Sequence, residues 1–171
     1  MLLSDKFKRV TSTELHPHRA ELIKQYASRM HKENIAVLTH DWTGDTADLG
    51  TFDAVLCDVP CSGYGVLADH PDIRLFRTEQ NLKELVSAQK KILNHAKNHV
   101  KIGGVLYYST CSVFPAENRM QADVFLKENP EFSAVQLDSP LPHQKGGVGL
   151  QFLPHLSLGA GFFVSAFRRN Q

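Results

Sequence analysis

Strand-like and helix-like segments alternate along this chain, a pattern typical of a parallel α/β sheet. Residues 52–57 (FDAVLC) are apolar enough to form a strand buried on both faces, as interior strands of such sheets are. Residues 105–109 (VLYYS) form a second apolar strand. The further predicted strands are residues 9–14, 35–38, 132–135 and 161–167. The fold class expected from this order is α/β.

Helical segments lie between these strands. Pro17 suits the first turn of one helix, and apolar residues in the longest segment recur at the spacing of a single helix face. That long helix is expected to stop near Gly103 and Gly104, because glycine commonly ends helices. The predicted helices cover residues 17–30, 82–96 and 118–127, and irregular segments are predicted over residues 42–50, 60–77 and 138–158.

Composition indicates one soluble domain. A chain of 171 residues with 42% hydrophobic residues can bury a real core. The net charge of +1 gives no global basic surface for nucleic acid, although charge can still be local. Residues 90–101 are locally basic and are interpreted as a solvated helix face. No internal linker divides the sequence, so we expect one domain over residues 1–171.

The cysteine count and the hydropathy pattern indicate a cellular compartment. Three cysteines, an odd number, in a chain without a signal peptide argue against a disulfide framework and favour a reducing, cytoplasmic location. No apolar run approaches the length needed to cross a bilayer, so no membrane partner is expected.

Two of the cysteines follow the apolar strands into polar, turn-forming segments. Cys61 comes after the first of these strands and Cys111 after the second. Because the carboxyl ends of neighbouring parallel strands meet at the crevice where such sheets bind ligands, these thiols and Asp58 form a candidate reaction centre. Cys57 lies inside its strand and is interpreted as a small buried hydrophobe.

These residue types suit addition of a thiolate to a ring carbon better than a zinc site or a thiol oxidoreductase. A structural zinc site would need a matching Cys or His pair, which Cys57 and Cys61 lack, and a thiol oxidoreductase would need the spacing Cys-x-x-Cys. A thiolate suits addition to an electron-poor ring carbon, such as carbon 6 of cytosine. Carbon 5 can then attack an electrophilic methyl group, provided that an acid stabilises the ring nitrogen and a base removes the hydrogen of carbon 5.

Two motifs carry a resemblance to a known family. Residues 58–63 (DVPCSG) and 109–118 (STCSVFPAEN) resemble the two signature motifs of the RNA cytosine-5 methyltransferases, and are most similar to the bacterial 16S ribosomal RNA methyltransferase B (Sun/Fmu) group. The similarity extends from about Val10 to Phe167, through residues 70–74 (HPDIR). It implies a Rossmann-like, S-adenosylmethionine-dependent methyltransferase fold with a mostly parallel sheet and an antiparallel last strand. The implied substrate is RNA, ribosomal RNA in particular.

The resemblance also implies roles at the substrate side of the site. By it, Cys111 is the nucleophile that attacks carbon 6 of cytosine, and Cys61 assists release of the methylated product. Asp58 binds the cytosine ring nitrogen, and Pro60 shapes the turn that presents these groups. The chain has Val59 where the family usually has alanine.

The same resemblance assigns three carboxylates to S-adenosylmethionine and implies no metal. Glu14, at the end of the first predicted strand, matches the acidic residue that holds the ribose hydroxyls, a role that suits a carboxylate at this position. Asp41 matches the residue near the adenine amino group, and Asp58 also faces the cofactor. Ala160 stands where the family commonly has an acidic residue.

One part of the family pattern has no match. The family's first catalytic strand ends in a glycine-rich loop near the methionine part of the cofactor, and residues 1–3 align best with the end of the helix after that loop. We therefore expect an incomplete, C-terminal part of the catalytic domain, without the family's N-terminal RNA-binding region. The strands ending at Glu14 and Asp58 would both lack a neighbour. Alone, such a chain is expected to bind the cofactor weakly, or to close the gap by re-pairing strands or dimerising. The alternative hypothesis is a non-catalytic module that binds RNA or a protein partner.

Overall fold

The computed structural model describes residues 2–44, 49–144 and 147–171. The chain forms two compact units, Met1–Asp48 and Leu49–Gln171.

The first unit is a parallel strand pair with one helix. A short 3-10 helix, Leu2–Asp5, is followed by β1 (Val10–Glu14), α1 (Pro17–Arg29) and β2 (Ile35–Thr39). β1 and β2 pair in parallel along their whole length, and α1 buries two small residues, Ala20 and Ala27. The predicted strands and helix of this region are confirmed to within one residue at each boundary.

The second unit is built around five strands. Its elements in chain order are β3 (Phe52–Asp58), α2 (Ile73–Phe76), α3 (Glu79–Ala96), β4 (Val100–Thr110), α4 (Arg119–Glu128), β5 (Phe132–Ala134), β6 (Leu150–Phe152), α5 (Pro154–Ser157) and β7 (Phe162–Arg169). The strand order is β3-β4-β7-β5, and β6 also pairs with β7. β3 and β4 are parallel, whereas β7 is antiparallel to each of its three partners. The predicted Rossmann-like fold class, with an antiparallel last strand, is confirmed.

The core of the second unit lies between β4, β7 and the helices that cover them. Tyr108 of β4 meets Phe163 of β7 edge to face, with ring centroids 6.2 Å apart. Phe125 of α4 packs against Phe167 and Phe132, at 4.7 and 5.2 Å. These rings are all buried, and such contacts stabilise a core beyond the area that they bury.

α3 begins three residues before its predicted start at residue 82. Its last residue, Ala96, is also the last apolar residue of the predicted helical segment. Thr78 caps it, since the Thr78 hydroxyl accepts from the N–H of Asn81 and the Asn81 side chain accepts from the N–H of Thr78, both at 3.2 Å. The first turn is polar, and apolar periodicity therefore could not reveal it.

The prediction that Gly103 and Gly104 stop this helix is wrong. Both glycines lie inside β4, at a point where its pairing with β3 shifts register between Phe52 and Ala54. Gly103 has a φ of +80°, and a Cβ on Gly104 would lie 2.9 Å from the carbonyl oxygen of Asp53. The glycines therefore allow the irregular backbone at this register shift in β4.

The segment predicted to be irregular over residues 138–158 is partly regular. It contains β6 and α5, and Gly149, which precedes β6, has a φ of +86° and would bring a Cβ to 2.9 Å from Cβ of Ser165. Within the described ranges, no helix has both the length and the apolar character needed to cross a membrane.

Candidate active site

The register of β3 and β4 places two chain segments side by side. The strands are in parallel register up to Asp58 opposite Ser109, and the N–H of Val59 continues the ladder by donating to the carbonyl of Ser109 at 3.2 Å. The segments that follow β3 and β4 therefore both leave the sheet at the carboxyl ends of these strands. We call residues 59–63 the β3 loop and residues 111–118 the β4 loop.

The two loops bring the predicted thiols into contact. Cys61 Sγ and Cys111 Sγ are 2.8 Å apart, both partly buried and both free cysteines. Asp58, at the exposed end of β3, accepts a hydrogen bond from the Ser109 hydroxyl at 2.9 Å. The expected convergence of these groups at one sheet edge is thus present in the second unit.

Glycine makes the close approach of the loops feasible. The N–H of Gly65 donates to the carbonyl of Cys111 at 2.9 Å, and the N–H of Gly161 donates to the carbonyl of Gly65 at 2.7 Å. A Cβ on Gly65 would overlap the carbonyl of Gly161 and lie 2.8 Å from the Cys111 oxygen. Only glycine therefore fits between the β4 loop and the start of β7.

The contact between the thiols makes them chemically different. The hydrogen bond from Cys61 lowers the pKa of Cys111 to about 7. The same hydrogen bond, together with burial, raises the pKa of Cys61 well above its ordinary value. Cys111 is consequently the thiol of the pair that ionises near neutral pH, which is the property of a nucleophile.

Cys57 behaves differently from this pair. It is buried in β3, and burial raises its pKa to about 12. The interpretation of Cys57 as a small buried hydrophobe is confirmed. Among the described residues, no group of three or more His, Cys, Asp or Glu side chains is arranged to hold a metal ion.

Pro60 lies between Asp58 and the first thiol. Its side chain is exposed, and its carbonyl accepts a hydrogen bond from Gln89 Nε2 of α3 at 2.9 Å. This hydrogen bond anchors the turn of the β3 loop to helix α3.

A fully buried carboxylate, Glu117, joins the two loops. Its Oε1 accepts from the N–H of Ser62 at 2.8 Å and from Gln89 Nε2 at 3.0 Å. Its Oε2 accepts from the Ser62 hydroxyl at 2.6 Å and also from the Ser112 hydroxyl. Glu117 lies within the second signature motif, residues 109–118, and its role was not predicted from the sequence.

One sequence signal could have pointed to this cluster. Gln89 lies at helical spacing between Leu82, Leu93 and Ala96, on the apolar stripe of α3, and is fully buried. A polar residue on such a stripe is buried only when it has hydrogen-bond partners. Nothing comparable marks Glu117, which precedes its helix in an irregular segment.

A small cavity opens beside the β3 loop. It has a volume of about 210 Å³. The rings of Tyr64 and Phe114 lie 4.8 Å apart at its wall, and Arg77 Nε donates to the carbonyl of Ser62 at 3.1 Å. The lining residues are Ser62, Tyr64, Arg77, Thr78, Glu79, Leu82 and Phe114.

The predicted cofactor carboxylates Glu14 and Asp41 lie in the first unit, Glu14 as the last residue of β1 and Asp41 just beyond the end of β2. Glu14 Oε1 accepts from the N–H of His16 at 3.1 Å, and Oε2 is 3.6 Å from Arg19 Nη2. Asp41 Oδ1 accepts the hydroxyl and the N–H of Thr43, at 2.7 and 2.8 Å, and these bonds lower the pKa of Asp41. Each carboxylate has more acceptor sites than these contacts use, so both suit the hydroxyl and amino groups of a nucleoside.

Known proteins resemble this chain over nearly its full length. Residues 1–168 match the family described as 16S rRNA methyltransferase RsmB/F. The ribosomal RNA small subunit methyltransferase B of Pectobacterium atrosepticum is 40% identical over 120 residues, which are 70% of this chain and 27% of that protein. The protein of the same name from Serratia proteamaculans is 33% identical over 161 residues, 91% of this chain and 35% of that protein. The chain thus spans about a quarter to a third of these relatives.

Solved structures show the same fold. The crystal structure of PH0851 has a TM-score of 0.88 at 29% identity, and the match covers 94% of this chain and 37% of that one. NSun6 from Pyrococcus horikoshii, solved with SFG, has a TM-score of 0.81 at 23% identity, with 95% of this chain and 42% of that one covered. SFG is an analogue of S-adenosylmethionine, the cofactor that the methyltransferase family of this chain supports.

Proposed function

Because the chain belongs to the 16S rRNA methyltransferase RsmB/F family, we propose that it carries the nucleophilic part of a site that methylates carbon 5 of cytosine in RNA, ribosomal RNA in particular. The observation that carries this proposal is the contact between Cys61 and Cys111, in which Cys111 ionises near neutral pH. Asp58 stands at the adjacent strand end.

The reaction begins with Cys111. Its thiolate forms a bond to carbon 6 of cytosine, and the electron pair of the 5,6 double bond moves into the ring. Asp58, oriented by the Ser109 hydroxyl, acts as the acid: it donates a proton to the ring nitrogen as negative charge builds up there, and takes that proton back once carbon 5 carries the methyl group. Carbon 5 thereby becomes nucleophilic.

S-adenosylmethionine, when bound, supplies the electrophilic methyl group that carbon 5 takes up. Glu14 is suited to accept hydrogen bonds from ribose hydroxyls, and Asp41 to accept from an amino group. Both carboxylates present free acceptor sites for these contacts.

Cys61 acts in the last step. Once Cys111 is bound to carbon, it no longer accepts the Cys61 hydrogen bond, which is the main cause of the raised pKa of Cys61. Cys61 can then ionise and take the proton from carbon 5. The electrons of that bond restore the 5,6 double bond, and the Cys111 thiolate leaves.

Substitution of each thiol in the complete protein tests these roles. Cys111→Ala should abolish methyl transfer, because no nucleophile remains. Cys61→Ala should still form the adduct but fail to release it, so RNA should migrate with the protein on a denaturing gel. Normal methylation by both variants would refute the assignment.

The chain by itself is proposed to bind the cofactor weakly and to be inactive alone. Among the described strands, β1 pairs only with β2, and β3 pairs only with β4, so that each has an open edge and the expected re-pairing of strands is not present. Open edges expose unpaired N–H and C=O groups that favour association with another chain. Self-association of the isolated chain is therefore part of this proposal.

A non-catalytic RNA- or partner-binding module is the second candidate, because the open edges of the described strands β1 and β3 can pair with a strand of another chain. The genomic sequence upstream distinguishes the two. An in-frame glycine-rich motif supports the methyltransferase, whereas a stop codon supports the module.

A further inference from the structure

Glu117 is the buried charged group that the proposed reaction does not use. It has no exposed surface, and its four hydrogen bonds occupy the roughly four acceptor sites of a carboxylate. All four donors are neutral, and in the described part of the chain none of the ion pairs includes Glu117. A carboxylate buried without a cation is costly unless its hydrogen bonds are complete.

Three of these four donors belong to the two loops that carry the thiols. Ser62 directly follows Cys61, and Ser112 directly follows Cys111. The two serine hydroxyls are also 3.1 Å from each other. One carboxylate therefore ties together the residues next to the two reacting sulfur atoms.

The framework around Glu117 fixes its own position. Gln89 Nε2 donates both to Glu117 and to the Pro60 carbonyl, so α3 holds the carboxylate and the β3 loop at once. The hydroxyl of Tyr108 donates to the backbone carbonyl of Glu117. Because Glu117 is held from several directions, a change in the length of its side chain displaces the groups that it binds.

We propose that Glu117 is a positioning residue whose carboxylate sets the contact between Cys61 and Cys111. It touches neither sulfur atom. Through Ser62 and Ser112 it fixes the two loops at the separation that lets Cys61 donate to Cys111. The consequence for methyl transfer rests on the proposed function, whereas the contact itself does not.

The test separates length from charge. Glu117→Asp keeps the charge but is one methylene shorter, so it cannot reach both serines and Gln89. Glu117→Gln keeps the length without the charge, and the serine hydroxyls can turn to accept from its amide. Glu128→Asp, at an exposed ion pair with Lys90, is the matched control.

The measurement is the pH dependence of Cys111 alkylation in the folded 171-residue chain, followed by mass spectrometry. The titratable groups that face Cys111 are Cys61, Asp58 and Glu117, and Tyr108 faces Cys61 and Glu117. In Glu117→Asp the midpoint should rise from about 7 towards the ordinary thiol value of about 8.5. In Glu117→Gln it should not rise, since loss of a nearby negative charge favours the thiolate.

Other results would overturn the proposal. An unshifted midpoint in Glu117→Asp, or an equal rise in Glu117→Gln, would show that length is not what matters. If Glu117→Asp does not fold, Ser112→Ala removes one link and should raise the midpoint by a smaller amount; no rise there would also overturn it.

Methyl transfer by the complete protein gives a separate readout. Glu117→Asp should lower kcat about 10-fold at pH 7, because a rise of the Cys111 pKa from about 7 towards about 8.5 lowers the ionised fraction by about that factor, and should leave KM for RNA unchanged. If the unaltered protein methylates no RNA, the proposed function fails, while the alkylation result still decides the role of Glu117.

Discussion

Three cysteines of one small unit differ in ionisation because their neighbours differ. Cys57 is buried in β3, and burial raises its pKa to about 12. Cys61 donates to Cys111, and this single hydrogen bond moves the pKa values of the two thiols in opposite directions. The chemistry of the pair therefore depends on the distance between two sulfur atoms rather than on either residue alone.

Removal of the donor should weaken the nucleophile. In Cys61→Ala the pKa of Cys111 should rise from about 7 towards about 8.5, because its thiolate loses the hydrogen bond. At pH 7 the ionised fraction would then fall from about half to a few per cent. Alkylation rates between pH 5 and 9 measure this change.

The control for that measurement is Cys57→Ala, which removes a buried thiol and should leave the midpoint in place. Equal midpoints for Cys61→Ala and the unaltered chain would show that the thiols do not share a proton.

Sequence reasoning found the residues at strand ends and missed those that join them. Asp58, Cys61 and Cys111 could be predicted to converge because parallel strands deliver their carboxyl ends to one edge. Glu117 could not, since its burial depends on contacts with segments that lie 28 and 55 residues away in the chain. Periodicity carries no information about such contacts.

At the scale of elements, the β3 and β4 loops are held by backbone contacts as well as side chains. Gly65 lies between the Cys111 carbonyl and the start of β7, where a side chain has no room. The opposite end of the β3–β4 pair shows where sequence patterns mislead. The Gly103–Gly104 pair looks like the end of a helix, yet it serves a register shift whose existence depends on the partner strand.

Gly65→Ala should destabilise the unit by about 1–3 kcal/mol, the usual cost of overpacking. The added methyl overlaps the Gly161 carbonyl, so the β4 loop must shift. Thermal unfolding followed by circular dichroism measures the effect, and Cys111 alkylation should slow in parallel.

Gly159→Ala is the matched control, because a Cβ there meets nothing within 4 Å. It should change stability by less than about 0.5 kcal/mol. Equal stability of the two variants would contradict the steric role of Gly65.

At the scale of the whole molecule, the candidate residues are divided between two units. Glu14 and Asp41 belong to the first, and the thiols with Asp58 belong to the second. In each unit the described parallel pair has an open edge, at β1 in the first unit and at β3 in the second. The family pattern predicts open edges on these two strands.

Calorimetry with S-adenosylmethionine should therefore detect weak binding or none in the 171-residue chain. Light scattering on the same sample should show species larger than a monomer, since open edges attract further strands. Micromolar binding by a monomeric chain would contradict both expectations.

β7 has a consequence for how the second unit is made. It pairs with β4, β5 and β6, all of which precede it in the chain. During synthesis β4 can therefore pair with β3 as soon as both strands have left the ribosome. Its other edge stays unpaired until Phe162–Arg169 has also emerged. Pairings this distant in sequence also slow folding. The nascent chain thus passes through an interval in which one edge of β4 is unpaired. A chaperone can bind this exposed edge during that interval.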